Sequence, residues 1–168
     1  MNARCIYFVE GPCEKQLISA LKEDPGKVIP GKVRVFNLIQ NRFPNSLLLA
    51  IQPGTTVVLV FDTDVPKADV LRENIKLLKR YCVRIKLIHL GQVLNLEDEL
   101  VRCTDAKAIA ELTKSEGTQK FKTDFCRMKS ADCRAMLERH HIDVSRLWTT
   151  ALPNTFQAIE QNGIQIKV

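Results

Sequence analysis

The chain has 168 residues, 45% of them hydrophobic and 26% charged, with a formal net charge of +6 and a pI near 9.1. That length supports a core without covalent staples, the composition excludes a disordered or fibrous chain, and no apolar window is long enough to cross a bilayer. The basic balance favours polyanionic partners, although a merely solvated basic surface carries the same charge.

The first residues hold a short apolar run that ends on Glu10 and no small-residue cleavage site, so a cytoplasmic protein is the default expectation. Residues 4–9 are β-branched and aromatic and run directly into Glu10-Gly11-Pro12, the pattern of a strand buried on both faces. Pro12 suits the first turn of a helix, where its missing N–H costs nothing. Residues 13–22 then place Leu17, Ile18 and Leu21 on one face, and Asp24-Pro25-Gly26 ends the run. Residues 32–38 form a second strand candidate with Val33, Val35 and Asn37 on one face. A polar segment leads to a short helix over 46–51, closed by the turn signal Gln52-Pro53-Gly54.

Residues 55–61 are the strongest strand and end in Asp62-Thr63-Asp64. Helical periodicity over 67–81 runs through Val70, Leu71, Ile75 and Leu78, and 83–90 form a further strand followed by Gly91. Beyond Asn95 the segments 96–101, 106–112, 121–125 and 131–140 read as helices, with a short late strand at 164–168. Alternating strands and helices imply an α/β fold with a parallel sheet and right-handed crossovers. The expected organisation is an α/β core over 1–102 and a mainly helical extension over 103–168, packed together as a single compact unit.

The cysteines (Cys5, Cys13, Cys82, Cys103, Cys126 and Cys133) show no C-x-x-C spacing, and His89, His140 and His141 do not complete a zinc site. They read as reduced thiols serving mostly as small core hydrophobes. Cys13 stands apart, because a thiol at the start of a helix has its pKa lowered by the dipole.

In open parallel sheets ligands bind beyond the carboxyl ends of the strands, and Glu10, Asp62 and Asp64 all fall at that edge. Asp62 and Asp64 are two apart, so extended backbone gives their side chains a common direction. Glu14 follows Glu10 by close to one helical turn. Carboxylates gathered this closely repel one another unless a cation sits among them, and oxygen-only ligands suit Mg2+ or Mn2+ rather than zinc. A lone D-x-D also occurs where acidic residues cap helices or bond loop amides. The combination of strand–Glu-Gly-Pro–helix with a later strand–Asp-x-Asp is more specific.

Phe8-Val9-Glu10-Gly11-Pro12-Cys13-Glu14-Lys15 resembles the first motif of the TOPRIM fold, in the V-E-G-x-x-E form of OLD-family nucleases and related phage-defence nucleases. Val60-Phe61-Asp62-Thr63-Asp64 resembles the second motif, and the likeness covers roughly the first 100 residues, the length of such a module. The resemblance implies a TOPRIM-like (Rossmann-like) parallel sheet flanked by helices, with a helical C-terminal part, and metal-dependent hydrolysis of phosphodiester bonds in DNA or RNA. It implies that Glu10 is a metal ligand or general acid/base and that Asp62 and Asp64 hold magnesium. Glu10, Asp62 and Asp64 are thus the catalytic candidates, with Glu14 a further ligand.

A second metal needs more carboxylates, and Glu97 and Asp98 are the candidates; the alternative is a solvated or capping acidic turn at a helix start. OLD-family proteins join this domain to an ATPase, and no Walker A pattern occurs here, so an ATPase partner would be a separate protein. The sequence is compatible with an oligomer.

Lys120, Lys122, Arg127 and Lys129, interleaved with Phe121 and Phe125, are candidate nucleic-acid-binding residues. The two Phe, four apart, also suit a helix face turned to the core, which leaves the cations free for nucleic acid. Two functional readings follow: a TOPRIM-type nuclease in a phage-defence or mobile-element setting, or a non-catalytic nucleic-acid-binding or regulatory module of the same fold. A phosphatase of the haloacid dehalogenase type also opens on D-x-D. It is excluded because Val65-Pro66-Lys67 stands where a Gly-Thr-like continuation is needed.

Overall fold

A computed structural model describes residues 4–23 and 25–168, so the first three residues and Asp24 of the expected helix stop lie outside the described residues. Cys5–Val9 (β1), Lys32–Val35 (β2), Thr56–Asp62 (β3) and Lys86–Gln92 (β4) pair into a sheet that is all parallel among the described residues, in the order β2-β1-β3-β4. The two central strands are the most apolar runs in the sequence, and Tyr7, Phe8, Val9 and Val57 to Phe61 are wholly buried. That is the signature of strands covered on both faces by crossover helices.

The covering helices are Pro12–Leu21 (α1), Asn45–Leu49 (α2), Asp69–Tyr81 (α3), Leu96–Cys103 (α4), Ala110–Thr113 (α5), Thr118–Arg127 (α6) and Ser130–Arg139 (α7). Alternation along the strands sorts two cores. Tyr7, Val9, Val58, Val60, Ile88 and Leu90 pack against α1 and the C-terminal helices. Phe8, Val57, Leu59 and Phe61 pack against α3 and Phe156 on the other face. Phe121, Phe125, Met136 and Trp148 belong to the first of these cores, and residue 102 lies in the last turn of α4, so the core runs unbroken across the 102/103 boundary. The arrangement is an α/β parallel sheet flanked by helices, compatible with a Rossmann-like fold. No helix among the described residues is long and apolar enough to cross a membrane.

Several element bounds differ from expectation for physical reasons. Arg84 takes a left-handed turn conformation (φ 52°), so β4 begins at Lys86 rather than 83. It also continues through Gly91 to Gln92, and at Gly91 the Leu152 side chain and the Phe61 ring pack closely against the strand, where a larger residue would displace them. The helix expected over 106–112 shrinks to α5, whereas the one expected over 121–125 extends to the ten residues of α6. The late strand over 164–168 is instead a 3₁₀ helix, Gly163–Ile166, followed by a lone antiparallel bridge from Lys167 to Val28. Gly163 lies tight against the Trp148 backbone, and Asn162 N–H donates to the His89 carbonyl, so the tail is held by packing and not by a ladder.

Candidate metal centre

β1 and β3 are adjacent and end at the same edge, which brings Glu10 directly beside Asp62. The Asp62 N–H donates to Glu10 Oε1 over 3.2 Å, fixing one carboxylate oxygen against the neighbouring strand. Gly11 caps α1 in extended backbone and Pro12 occupies its first turn, so Glu14 comes round one turn later into the same space, only 7% exposed. The first turn of α4, capped by the Asn95 side chain on Asp98 N–H, presents Glu97 from the far side. Lys122 of α6 closes the group with an ion pair to Glu97 at 3.0 Å. Glu10, Glu14, Asp62, Glu97 and Lys122 thus line a single open cleft of about 430 Å³.

The electrostatics are one-sided. Burial, with added repulsion from Glu14 and Asp64, pushes the Glu10 carboxyl up to about 7, against the hydrogen bond from Asp62 that holds it down. Burial also raises Asp62, to about 9, and Glu14, Glu10, Asp64 and Glu97 all push the same way. Glu14 is raised by burial and by Glu97, with Lys122 and nearby backbone amides pulling against them. Asp62 Oδ1 is buried and has no hydrogen-bond partner. A carboxylate taken from water without a donor or counter-charge is costly, and the four charged neighbours that raise it are all carboxylates too.

The remaining candidates divide. β3 ends at Asp62 and the chain bends at Asp64, so the extended-backbone argument stops one residue short and Asp64 is exposed outside the cleft lining. It is still near enough to raise its two neighbours. Asp98 is a helical step round from Glu97 and does not line the cleft. Lys120 is engaged by Asp124 at 2.7 Å, while Arg127 and Lys129 are exposed. The two rings between them, Phe121 and Phe125, are fully buried, so α6 turns its rings inward and its cations outward.

Cys13 reverses its expectation. Burial, and then the adjacent Cys126 thiol, raise its pKa well above the ordinary thiol value, overriding the helix dipole.

Two residues near the cleft escaped sequence reasoning. Gln92 pairs in register with Asp62, so both side chains leave the sheet on one face, and its amide is fully buried with neither oxygen nor nitrogen bonded. Asn37, read only as a strand-face residue, lines the cleft while its Oδ1 accepts from the Ile39 and Gln40 N–H groups. Burial at the end of a strand is a property of the assembled sheet, and no local pattern marks it.

Among the described residues, no three of His, Cys, Asp and Glu stand at ligating distance around one point as the side chains lie. Mg2+ does not require such a cage, since it keeps several waters and takes one or two carboxylates plus substrate phosphates. The carboxylate oxygens of the cleft fit that chemistry, with the orphaned Asp62 Oδ1 short of a partner, and the Cys13 and Cys126 thiols stand beside them. A second hollow of about 350 Å³, walled by Ile6, Phe8, Leu47 and Ile51, is lined by no acidic residue. Compared with protein-family models, curated proteins and solved structures, the chain matches none.

Proposed function

We propose that this chain is a metal-dependent nuclease with a TOPRIM-like site, hydrolysing phosphodiester bonds in DNA or RNA in a cytoplasmic phage-defence or mobile-element setting. The observation that carries the reading is Asp62: a buried carboxylate at the carboxyl edge of the sheet, with one oxygen unpartnered and Glu10, Glu14 and Glu97 around it. A bound Mg2+ or Mn2+ would neutralise the scissile phosphate and orient water.

Asp62 and Glu14 would hold the ion, with Glu97 and Asp64 close enough to join them. Glu10 has one oxygen committed to the Asp62 N–H, which leaves Oε2 to ligate or to exchange a proton. A carboxyl poised at about 7 is suited to that exchange near neutral pH. Lys122 reaches the same cleft and would meet a phosphate oxygen once drawn from Glu97, while Lys120, Arg127 and Lys129 would give the backbone of the nucleic acid a cationic approach.

The test is cleavage of single- and double-stranded DNA and RNA with Mg2+, Mn2+ or chelator, beside Glu10→Ala and Asp62→Ala. The reading expects metal-dependent cutting that both variants lose. A protein that binds nucleic acid but cuts none of these substrates with either metal is instead a non-catalytic binding or regulatory module.

A further inference from the structure

Cys13 and Cys126 are far apart in sequence, yet their sulfur atoms lie 2.7 Å from each other. Cys13 is in the first turn of α1, next to Glu14, and Cys126 is near the end of α6, four residues after Lys122. Both thiols line the carboxylate cleft, and Cys126 is the more exposed of the two. The helices that carry them pack directly against one another, and Cys13 Sγ also lies 3.8 Å from the Lys122 carbonyl. Two thiols in contact at the mouth of an open cleft are placed for joining, and little backbone movement is needed. The other cysteines, apart from Cys133 on α7, lie elsewhere in the cores.

We propose that Cys13 and Cys126 form an oxidisable pair which takes a small-molecule disulfide as its co-reactant and, once joined, pins α6 across the cleft. The sulfur of Cys126 attacks the incoming disulfide, breaking its S–S bond and releasing one small thiol. Cys13 then attacks the Cys126 sulfur of the mixed disulfide, forming the Cys13–Cys126 bond and releasing the second small thiol. The two cysteines together lose two protons and two electrons, and the small disulfide gains them as two thiols. The bond ties the start of α1, with Glu14, to the helix that carries Lys122. That holds the ammonium over Glu97 and removes the freedom of α6 to lift from the cleft. The proposal concerns the thiols and α6 alone and stands whether or not the cleft holds a metal.

The experiment treats the full chain with oxidised glutathione, quenches with acid and alkylates in denaturant. The thiols open to alkylation are expected to fall from six to four, with a peptide map joining the Cys13 and Cys126 segments. Dithiothreitol should restore all six. Cys126→Ser should abolish the linked peptide and leave Cys13 alkylatable. Amide hydrogen exchange across α6 should slow in the oxidised protein and return on reduction. The proposal is overturned if both thiols stay free, if Cys126 links instead to Cys133, or if the cross-linked protein exchanges along α6 as fast as the reduced one.

Discussion

Glu99 and Asp62 are both carboxylates taken out of water at the same end of the sheet, and the chain treats them in opposite ways. Glu99 is fully buried with every need met: Arg102 pairs with it at 2.8 Å, and the backbone N–H groups of Val93 and Trp148 donate to its two oxygens. Asp62 has an unpartnered oxygen, and the charged groups that raise it are all acidic. Two helical positions separate Glu97, which faces the cleft, from Glu99, which faces the core. A buried carboxylate supplied with donors holds structure together, whereas one without donors stores an unmet demand for positive charge. The second condition persists where function requires it.

The sharpest way to break that contrast is to remove each acid in turn. Glu99→Ala strands Arg102 and two backbone donors, and is expected to cost about 3 kcal/mol in urea unfolding, the lower end for breaking a buried pair because Arg102 keeps some contact with water. Asp62→Asn should act in the other direction. The folded-state pKa of Asp62, about 9, lies above that of an unfolded Asp, so folding favours the protonated form. Its penalty is absent below the unfolded pKa and grows as pH rises toward the folded pKa. Asp62→Asn is therefore expected to stabilise the metal-free protein by about 2 kcal/mol at about pH 8 and by nothing at about pH 3, in paired unfolding curves. A variant that destabilises at both values would erase the distinction from Glu99.

Smaller effects sharpen the same comparison on the cationic side. Under the proposed function, Lys122→Met should weaken nucleic-acid binding and lower the slope of log affinity against log salt by about 1, the amount expected for one phosphate contact. Lys120→Ala, which removes a surface pair to Asp124 on the same helix, should change stability by only about 0.3–0.5 kcal/mol.

The sheet and its acidic edge were largely legible in the sequence, because apolar strands that stop on Glu10 and Asp62 announce both their burial and their ends. Glu97 was found from the acidic turn after β4, and the Phe121/Phe125 spacing identified the inward face of α6. What could not be read depended on tertiary packing. Asp64 was expected beside Asp62, but the chain bends after Thr63, whose hydroxyl and N–H both bond the Gln92 carbonyl of β4. The core-facing Leu96 and Leu100 set Glu99 apart from Glu97 and Asp98 as a ligand, but the donors it receives from Val93 and from Trp148 of the C-terminal segment belong to the assembled fold. Cys13 has a helix-start position that lowers a thiol pKa in isolation, and burial, with the Cys126 thiol beside it, reverses the sign.

Binding of Mn2+ by calorimetry tests the central claim most directly, comparing the unmodified chain with Asp62→Asn and Glu10→Gln across pH. The cleft should bind the ion more tightly as pH rises through about 7 and toward 9, because Glu10 and then Asp62 must lose protons to ligate it. Both substitutions should weaken binding at every pH where the unmodified chain binds. Absence of Mn2+ binding at alkaline pH, or equal affinity in the unmodified chain and both variants, would contradict the account.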